Sequence, residues 1–596
     1  MFLAPVLRSL NVMFRFTSPE SIIVVLLLTC SVFMHATGMV ATSYLSLAAA
    51  YGASALFYVL NSEQYSKDDD KKMAPDRLDA PESVTRDELD IANHASFFDG
   101  ENRRVLFRGI NLGGESKTPF LTNESIKGDE NVSFVGRPFD LSEADEHFSR
   151  LRSWGLTLVR LLVTWEAVEH AGPGIYDNEY LEYLRNLVRK GAEHGLAFVI
   201  DPHQDVWSRW TGGCGAPRWT LEIVGFDPDL LHRSGAAFTE EGFYKYDLSL
   251  KDTQKFPQMT WPSNHHRLGC ATMFTLFFGG SDFAPTFTVN GFNIQEYLQS
   301  HFVAAMVQVA KTLKQEPNVL GFETMNEPNL GYIGYQDLAK PSKFLLQGPA
   351  PTFFESFLLG EGIPTTVKYY DPSLFLAGSR ALNTEGLRAW KLGLSCIWRQ
   401  NGVWDFDGDA KLLRPDYFYR RPKDYRLVNP IADYFVPFVR RFTEAIQNVH
   451  GSYKVFVVKP SDFEISSIAT LPRDCDFGAV ALASHWYDIV TVVCKSFRSW
   501  IGVKRSGRGR FPLVLGNQSL VMEYKRQLQQ LQEEATTTGA GMPLIIGEIG
   551  CPMDLGTRGR HGWDKHMQVS AWDTILSAAE QCCLSFCIWN YTGAFC

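Results

Sequence analysis

The chain has 596 residues, 45% hydrophobic and 13% aromatic, with a net charge of -9. That length holds one large barrel with insertions or several domains, and the negative balance gives no electrostatic footprint for nucleic acid. Eleven cysteines are too sparse for a disulfide scaffold, and none forms the CxxC pair of a structural zinc site, so both classes are set aside.

Residues Ile22 to Leu60 are almost free of charge, longer than the roughly 20 apolar residues a membrane helix needs. Residues 1–60 therefore read as a membrane anchor or signal region. Three forms fit: a tilted single anchor, an unequal hairpin turning at His35 to Gly38, or a signal peptide followed by more apolar chain. A buried globular helix is the alternative. Arg8 and Arg15 lie on one flank, and Lys67, Lys71 and Lys72 on the other are mixed with Asp68 to Asp70, so the positive-inside bias is weak. Residues 61–92 read as a polar linker, and the globular body is expected over 93–596.

Phe97 to Asn111 reads as a hairpin turning at Asp99 and Gly100 and leading into a strand. Eight strands are expected: Val105 to Asn111, Thr157 to Val163, Ala197 to Asp201, Val319 to Met325, Lys454 to Val458, Gly478 to Ser484, Pro543 to Gly547, and Leu584 to Trp589. Amphipathic helical patterns separate them, clearest at Glu143 to Trp154, Glu179 to His194, Ile294 to Lys314, Ala432 to His450, Val521 to Glu534 and Gln568 to Gln581. Strand and helix in this alternation predict an α/β fold, a (β/α)8 TIM barrel with its site at the C-terminal strand ends. The gaps Asp201 to Ile294 and Glu327 to Ala432 are too long for ordinary loops and are expected to be insertions that wall a pocket. Cys582, Cys583 and Cys587 read as core thiols. The sequence runs only a few residues past the eighth strand, so the helix that covers that strand is expected to be missing.

The strand ends carry a polar inventory that a core does not explain. Arg160 lies on the second, Asp201, His203, Gln204 and Asp205 on the third, Asn326 and Glu327 on the fourth, His485 and Tyr487 on the sixth, Glu548 on the seventh, and Trp589 on the eighth. Glu327 and Glu548 are two carboxylates on strands that face each other across a barrel mouth, which is what glycoside hydrolysis requires. Arg160 and Tyr487 are placed to hydrogen-bond Glu548 and keep it ionised. Glu327, with fewer cationic neighbours, is expected to hold its proton. Asn326 suits a sugar 2-hydroxyl, His203, Asp205 and His485 add donors and acceptors, and Trp589 offers a stacking face. Taken singly, each histidine, Arg160 and Trp589 has an ordinary structural reading; their joint placement at ordered strand ends favours function.

These residues resemble glycoside hydrolase family 5, matched by Arg160, His203, Asn326-Glu327-Pro328, His485-Trp486-Tyr487, Glu548 and Trp589. DPHQDVWSRWTGG at 201–213, ATMFTLFFGG at 271–280, GFETMNEPNLGYIG at 321–334 and IWNYT at 588–592 look like its fungal endoglycoceramidase-related branch. The resemblance implies a retaining β-glucosidase of glucosylceramide or steryl glucosides, with Glu327 as acid/base and Glu548 as nucleophile. It also implies sugar contacts from Asp205 and Lys117, and a C-terminal β-sandwich that this sequence lacks. An endo-acting hydrolase of polysaccharide or oligosaccharyl ceramide is the second reading, and an inactive membrane-bound binding protein the third. No metal cluster is evident and the chemistry asks for no cofactor. The expected partners are a glycolipid substrate and a membrane held through the N-terminal segment, with the barrel on the cytosolic face. Sequons begin at Asn123, Asn131, Asn517 and Asn590; the last lies inside the family motif.

Overall fold

The computed structural model describes residues 84–91, 96–120, 132–239, 261–341, 348–370, 376–460, 471, 480–504, 512–537, 541–556 and 564–593. At its centre is a closed barrel of parallel strands: β1 (Arg108–Leu112), β2 (Leu158–Thr164), β3 (Ala197–His203), β4 (Val319–Glu323), β5 (Lys454–Val457), β6 (Val480–Tyr487), β7 (Leu544–Gly550) and β8 (Ser585–Tyr591). All eight expected strands are present, with shifted ends. β1 starts late because Arg104–Val105 pairs back onto Phe97–Phe98. Asp99 closes that hairpin, its Oδ1 accepting from the backbone N–H of Glu101 at 3.0 Å and of Arg103 at 2.8 Å. Leu89, Ile91, Phe97 and Phe107 then join Leu158, Ala197, Leu320, Ala481 and Ile545 in one buried cluster. These strand residues lie at or near strand N-termini, so the hairpin region plugs the end of the barrel away from the polar inventory.

Seven helices matter here: α1 (Ala144–Ser153), α2 (Asn178–Glu193), α3 (Leu268–Phe283), α4 (Ile294–Thr312), α5 (Val436–Val449), α6 (Asn517–Thr537) and α7 (Lys565–Gln581). α2 shows why they form. Asp177 caps it by accepting from the Tyr180 N–H at 2.9 Å, and Tyr180, Leu184, Leu187, Val188 and Gly191 recur at helical spacing on the buried face. α5 begins later than expected because Ile431–Phe435 forms a π turn before it.

The two insertions are ordered where described and pack on each other. The first supplies the helix Arg218–Val224 and α3; the second supplies the helix Phe353–Gly360 and a three-stranded antiparallel sheet, Gly348–Ala350, Thr365–Tyr370 and Leu376–Leu382. Phe226 stacks on Trp390 with centroids 4.2 Å apart, and buried Trp398 donates its Nε1 hydrogen to Thr272 at 2.9 Å. A separate compact unit takes in Ser499–Glu523; its hairpin pairs Ile501–Val503 with Leu513–Leu515.

Cys582 and Cys587 are buried as expected, but Cys583 is exposed. It sits at φ 50° on the turn from α7 into β8, where the chain reverses outside the core. The apolar segment 22–60 lies outside the described residues, and no helix among the described residues is long and apolar enough to cross a membrane.

Candidate active site

In a parallel pair, residues in register point to the same face. Asn111 of β1 and Arg160 of β2 are such partners, and both face the interior. Asn111 donates to the Gly547 carbonyl at 2.9 Å, which presents its Oδ1 to Arg160 Nη1 at 2.7 Å. Arg160 is 1% exposed and lies midway along β2, with strand continuing to Thr164. Its guanidinium reaches the end of the barrel by its length. Nε and Nη2 donate to the two oxygens of Glu323 at 2.8 and 2.6 Å. Nη1 donates to Glu548 at 2.9 Å and Nη2 to Asn326 Oδ1 at 2.9 Å, while Asp201 stands 3.1 Å from Nη1.

A bulge sets the next pair. β6 and β7 run in register to Ser484 opposite Ile546; β7 then carries one extra residue, Gly547, so that His485 faces Glu548. A Cβ at position 547 would lie 3.2 Å from His485 Nε2 and 3.3 Å from Glu323 Oε1, so glycine leaves room for both side chains. The result is that Tyr487 donates to Glu548 at 2.7 Å, while His485 Nδ1 lies 2.9 Å from Glu327 Oε1 and 3.6 Å from Glu548 Oε2.

β4 ends at Glu323, so Glu327 stands on irregular chain beyond it, at φ 33°. Gln204 holds that strained backbone. Its Nε2 donates to the carbonyls of Asn326 at 2.7 Å and Glu327 at 3.1 Å, and Asn326 Nδ2 donates back to the Gln204 carbonyl at 3.0 Å.

A second arm reaches the same centre through Asp201, which pairs with His203 Nδ1 at 2.6 Å. His203 Nε2 lies 3.4 Å from Asp205, and Asp205 accepts from Lys117 at 2.6 Å. Trp589 stacks parallel to His203 with centroids 5.7 Å apart, and the Lys117 ammonium lies 4.6 Å from the centre of the indole. Every residue expected at the site, from Lys117 to Trp589, thus belongs to one contact network.

Burial disfavours charge throughout, and specific partners decide where it persists. Burial opposes ionisation of Asp201, but Arg160 and His203 outweigh it and hold the carboxyl low. Glu323, which shares the same guanidinium, is pushed up by burial and by the Asp201 charge. Burial also works against Asp205, yet Lys117 and His203 keep it well below the usual carboxylate range. His485 is raised: Glu548 and the Glu327 hydrogen bond overcome its desolvation. Glu327 is lowered, because His485 more than offsets burial. This departs from the expectation that Glu327 holds the proton for want of a cationic neighbour; His485 is that neighbour.

Two groups have ligand atoms within 4.8 Å of one another, His203, Asp205 and Cys214, and Glu327, His485 and Glu548, a spacing that suits a metal ion. In the first, Lys117 already supplies a cation to Asp205, and in the second Arg160 does so for Glu548. Sequence reasoning gave no role to Asn111 or Glu323. Glu323 did leave a signal: a carboxylate inside an apolar strand needs a buried cation.

The profile described as cellulase, glycosyl hydrolase family 5, matches residues 119–337. The chain is 38% identical over 518 residues to a glucosylceramidase of Rhizopus delemar, with 83% of this chain and 74% of that one covered. It is 33% identical over 562 residues to an ergosteryl-beta-glucosidase of Saccharomyces cerevisiae, covering 84% and 73%. The fold matches the crystal structure of Cryptococcus neoformans sterylglucosidase 1 with a TM-score of 0.78 at 29% identity, covering 86% of this chain and 78% of that one.

Proposed function

The chain belongs to glycosyl hydrolase family 5, and on that premise we propose that it is a retaining β-glucosidase of glycolipids, acting on glucosylceramide or a steryl glucoside. One observation carries the stereochemistry: carboxyl oxygens of Glu327 and Glu548 lie within 4.8 Å of each other. A retaining pair stands about 5 to 5.5 Å apart, whereas an inverting pair needs roughly 6.5 to 9.5 Å to lodge a water.

In this reading Glu548, positioned by Arg160 and Tyr487, attacks the anomeric carbon. The bond to the aglycone oxygen breaks, and that oxygen takes a proton from Glu327. The raised His485 and lowered Glu327 favour the proton on the His485 side of their hydrogen bond, and in this reading the two side chains act as one donor. Glu327 then removes a proton from water, the oxygen attacks the glucosyl-enzyme, and Glu548 leaves as carboxylate with configuration retained. Asn326 is assigned the 2-hydroxyl through its second amide hydrogen. Lys117, His203, Asp205 and Trp589 are assigned to sugar binding.

The test uses an activated β-glucoside. Glu327→Ala is expected to lose about 10²- to 10⁴-fold in kcat/KM on a substrate with a poor leaving group, and on the activated glucoside to be rescued by azide, giving a β-azide. Glu548→Ala rescued by azide gives the α-azide instead. An α-azide from the Glu327 variant would overturn the assignment of roles. Residues 22–60 are assigned as the membrane anchor with the barrel on the cytosolic side. The apolar length of that segment supports this, as do the free cysteines among the described residues. Deleting residues 1–65 is expected to slow hydrolysis of membrane-embedded substrate alone; equal loss on soluble substrate would remove the anchor's purpose.

A further inference from the structure

We propose that Gln204 is a positioning residue for the proton-donating carboxyl: its side-chain amide locks the turn that carries Glu327 against the root of the first insertion. This rests on the assigned role of Glu327 as acid/base and extends it to a residue that acts through Glu327. Gln204 stands one residue past the end of β3 and is buried. The amide oxygen and both amide hydrogens are used. Oε1 accepts from the Trp207 N–H at 2.9 Å, and Nε2 donates to the carbonyls of Asn326 at 2.7 Å and Glu327 at 3.1 Å. These partners also fix which end of the amide is oxygen, since the flipped amide would set its oxygen against two carbonyls and its N–H against another.

Both segments joined by this amide adopt backbone that needs holding. Val206 and Trp207 lie at φ 44° and 82° and Glu327 at φ 33°, a left-handed region that sterics disfavour for every residue but glycine, most of all for β-branched and bulky ones. The Trp207 side is rigid. Its buried indole donates to Thr220 Oγ1 at 3.1 Å and packs edge-on against Phe274 and Phe277 of α3, with centroids 5.3 and 5.7 Å away. Its carbonyl accepts from the Ala216 N–H at 2.7 Å, and Thr211 Oγ1 donates to the Val206 carbonyl at 2.7 Å. Asp205 and Cys214 exchange backbone hydrogen bonds of 3.0 Å in both directions and close the loop. A Cβ at Gly215 would lie 2.4 Å from the Gln204 Cβ, so the returning chain confines the side chain. The Glu327 side is held more sparingly. Asn326 has the Pro202 carbonyl for its N–H at 3.0 Å and Arg160 for its Oδ1, but among the described residues the only donor to the Glu327 carbonyl is Gln204 Nε2. Glu327 is thus fixed at two points, its carbonyl by Gln204 and its carboxyl by His485. Releasing the first lets the carboxyl drift from the glycosidic oxygen, and proton transfer is sensitive to such drift.

The experiment measures kcat/KM of the full chain on aryl β-glucosides that differ in leaving group, because a dinitrophenolate departs without a proton whereas a phenolate needs one. Gln204→Glu keeps an acceptor for the Trp207 N–H and sets a carboxylate against the two carbonyls. It is expected to lose at least about tenfold more on the phenyl than on the dinitrophenyl glucoside, the same direction as Glu327→Ala. Gln204→Met, of similar length and without charge, is expected to show the same preference. It separates displacement of Glu327 from the effect of an added carboxylate, and it decides the matter if Gln204→Glu does not fold. Equal losses on both glucosides assign Gln204 to general stability and overturn the proposal, as does no loss on either. A loss in Glu327→Ala that depends on the leaving group, beside equal losses in the Gln204 variants, overturns this inference alone. Equal losses on both glucosides in Glu327→Ala overturn the acid/base role itself, and this inference with it.

Discussion

His485 Nδ1 lies 2.9 Å from Glu327 Oε1, and on the proposed roles the pH dependence of the enzyme follows from which partner keeps the proton. His485 is raised above its ordinary value and Glu327 is lowered, so the pair stays protonated up to the raised imidazole value and loses its proton as pH climbs through it. Activity that needs a donor falls over that range. In His485→Phe the proton has only the Glu327 carboxyl to occupy, so the alkaline limb of kcat/KM is expected to move to lower pH, with roughly a tenfold or greater loss at the optimum. A pH profile with an unmoved alkaline limb would remove His485 from the donor. The sequence made the members of this pair legible, since both stand at ends of recognisable strands. It did not show their coupling, because on sequence Glu327 is expected to have fewer cationic neighbours and His485 reads only as a further donor or acceptor, and the contact between Glu327 and His485 spans 158 residues.

β7 shows the same limit at the level of an element. Its apolar run and terminal carboxylate were enough to identify a strand, but the bulge at Gly547 was hidden because one extra residue leaves no trace in a short apolar pattern. Without it, alternation would turn Glu548 away from the side that His485 faces. Gly547→Ala keeps the backbone conformation accessible and inserts a Cβ against His485 and Glu323. Displacing them by a few tenths of an ångström is expected to lower kcat/KM by about tenfold or more, with a stability loss of order 1 to 3 kcal/mol from crowding. Steady-state kinetics beside urea denaturation separate the two; full activity would mean that the bulge has slack. The insertions were legible only as length. Their mutual packing, Phe226 on Trp390 and Trp398 on Thr272, joins segments whose sequences carry no shared period.

Across the whole barrel, one guanidinium ties together distant parts of the chain. Arg160 of β2 bonds Asn111 on β1, Glu323 on β4, Asn326 just beyond it and Glu548 on β7, and it pairs with Asp201 on β3. Each of these is almost fully buried, so the cation serves barrel closure as well as the site. Arg160→Met leaves the carboxylates uncompensated, which is expected to cost about 3 to 5 kcal/mol at neutral pH. The cost should depend on pH in a definite direction. In the parent, Asp201 has a lowered folded value, so its contribution is present above the unfolded value and is lost as pH falls through the folded one. In Arg160→Met burial prevails: the folded value of Asp201 rises above that of the unfolded chain, that of Glu323, already raised in the parent, rises further, and the folded state binds more protons. Stability of the variant then falls as pH rises through and above about 4. The gap between parent and variant must widen from acidic to neutral pH, which urea denaturation across that range measures. Neutralising the acids as well, in Arg160→Met/Asp201→Asn/Glu323→Gln, should recover part of the loss and flatten its pH dependence, because the penalty lies in the unpaired charges. A gap that is constant with pH in Arg160→Met would instead assign the loss to packing of the arginine side chain.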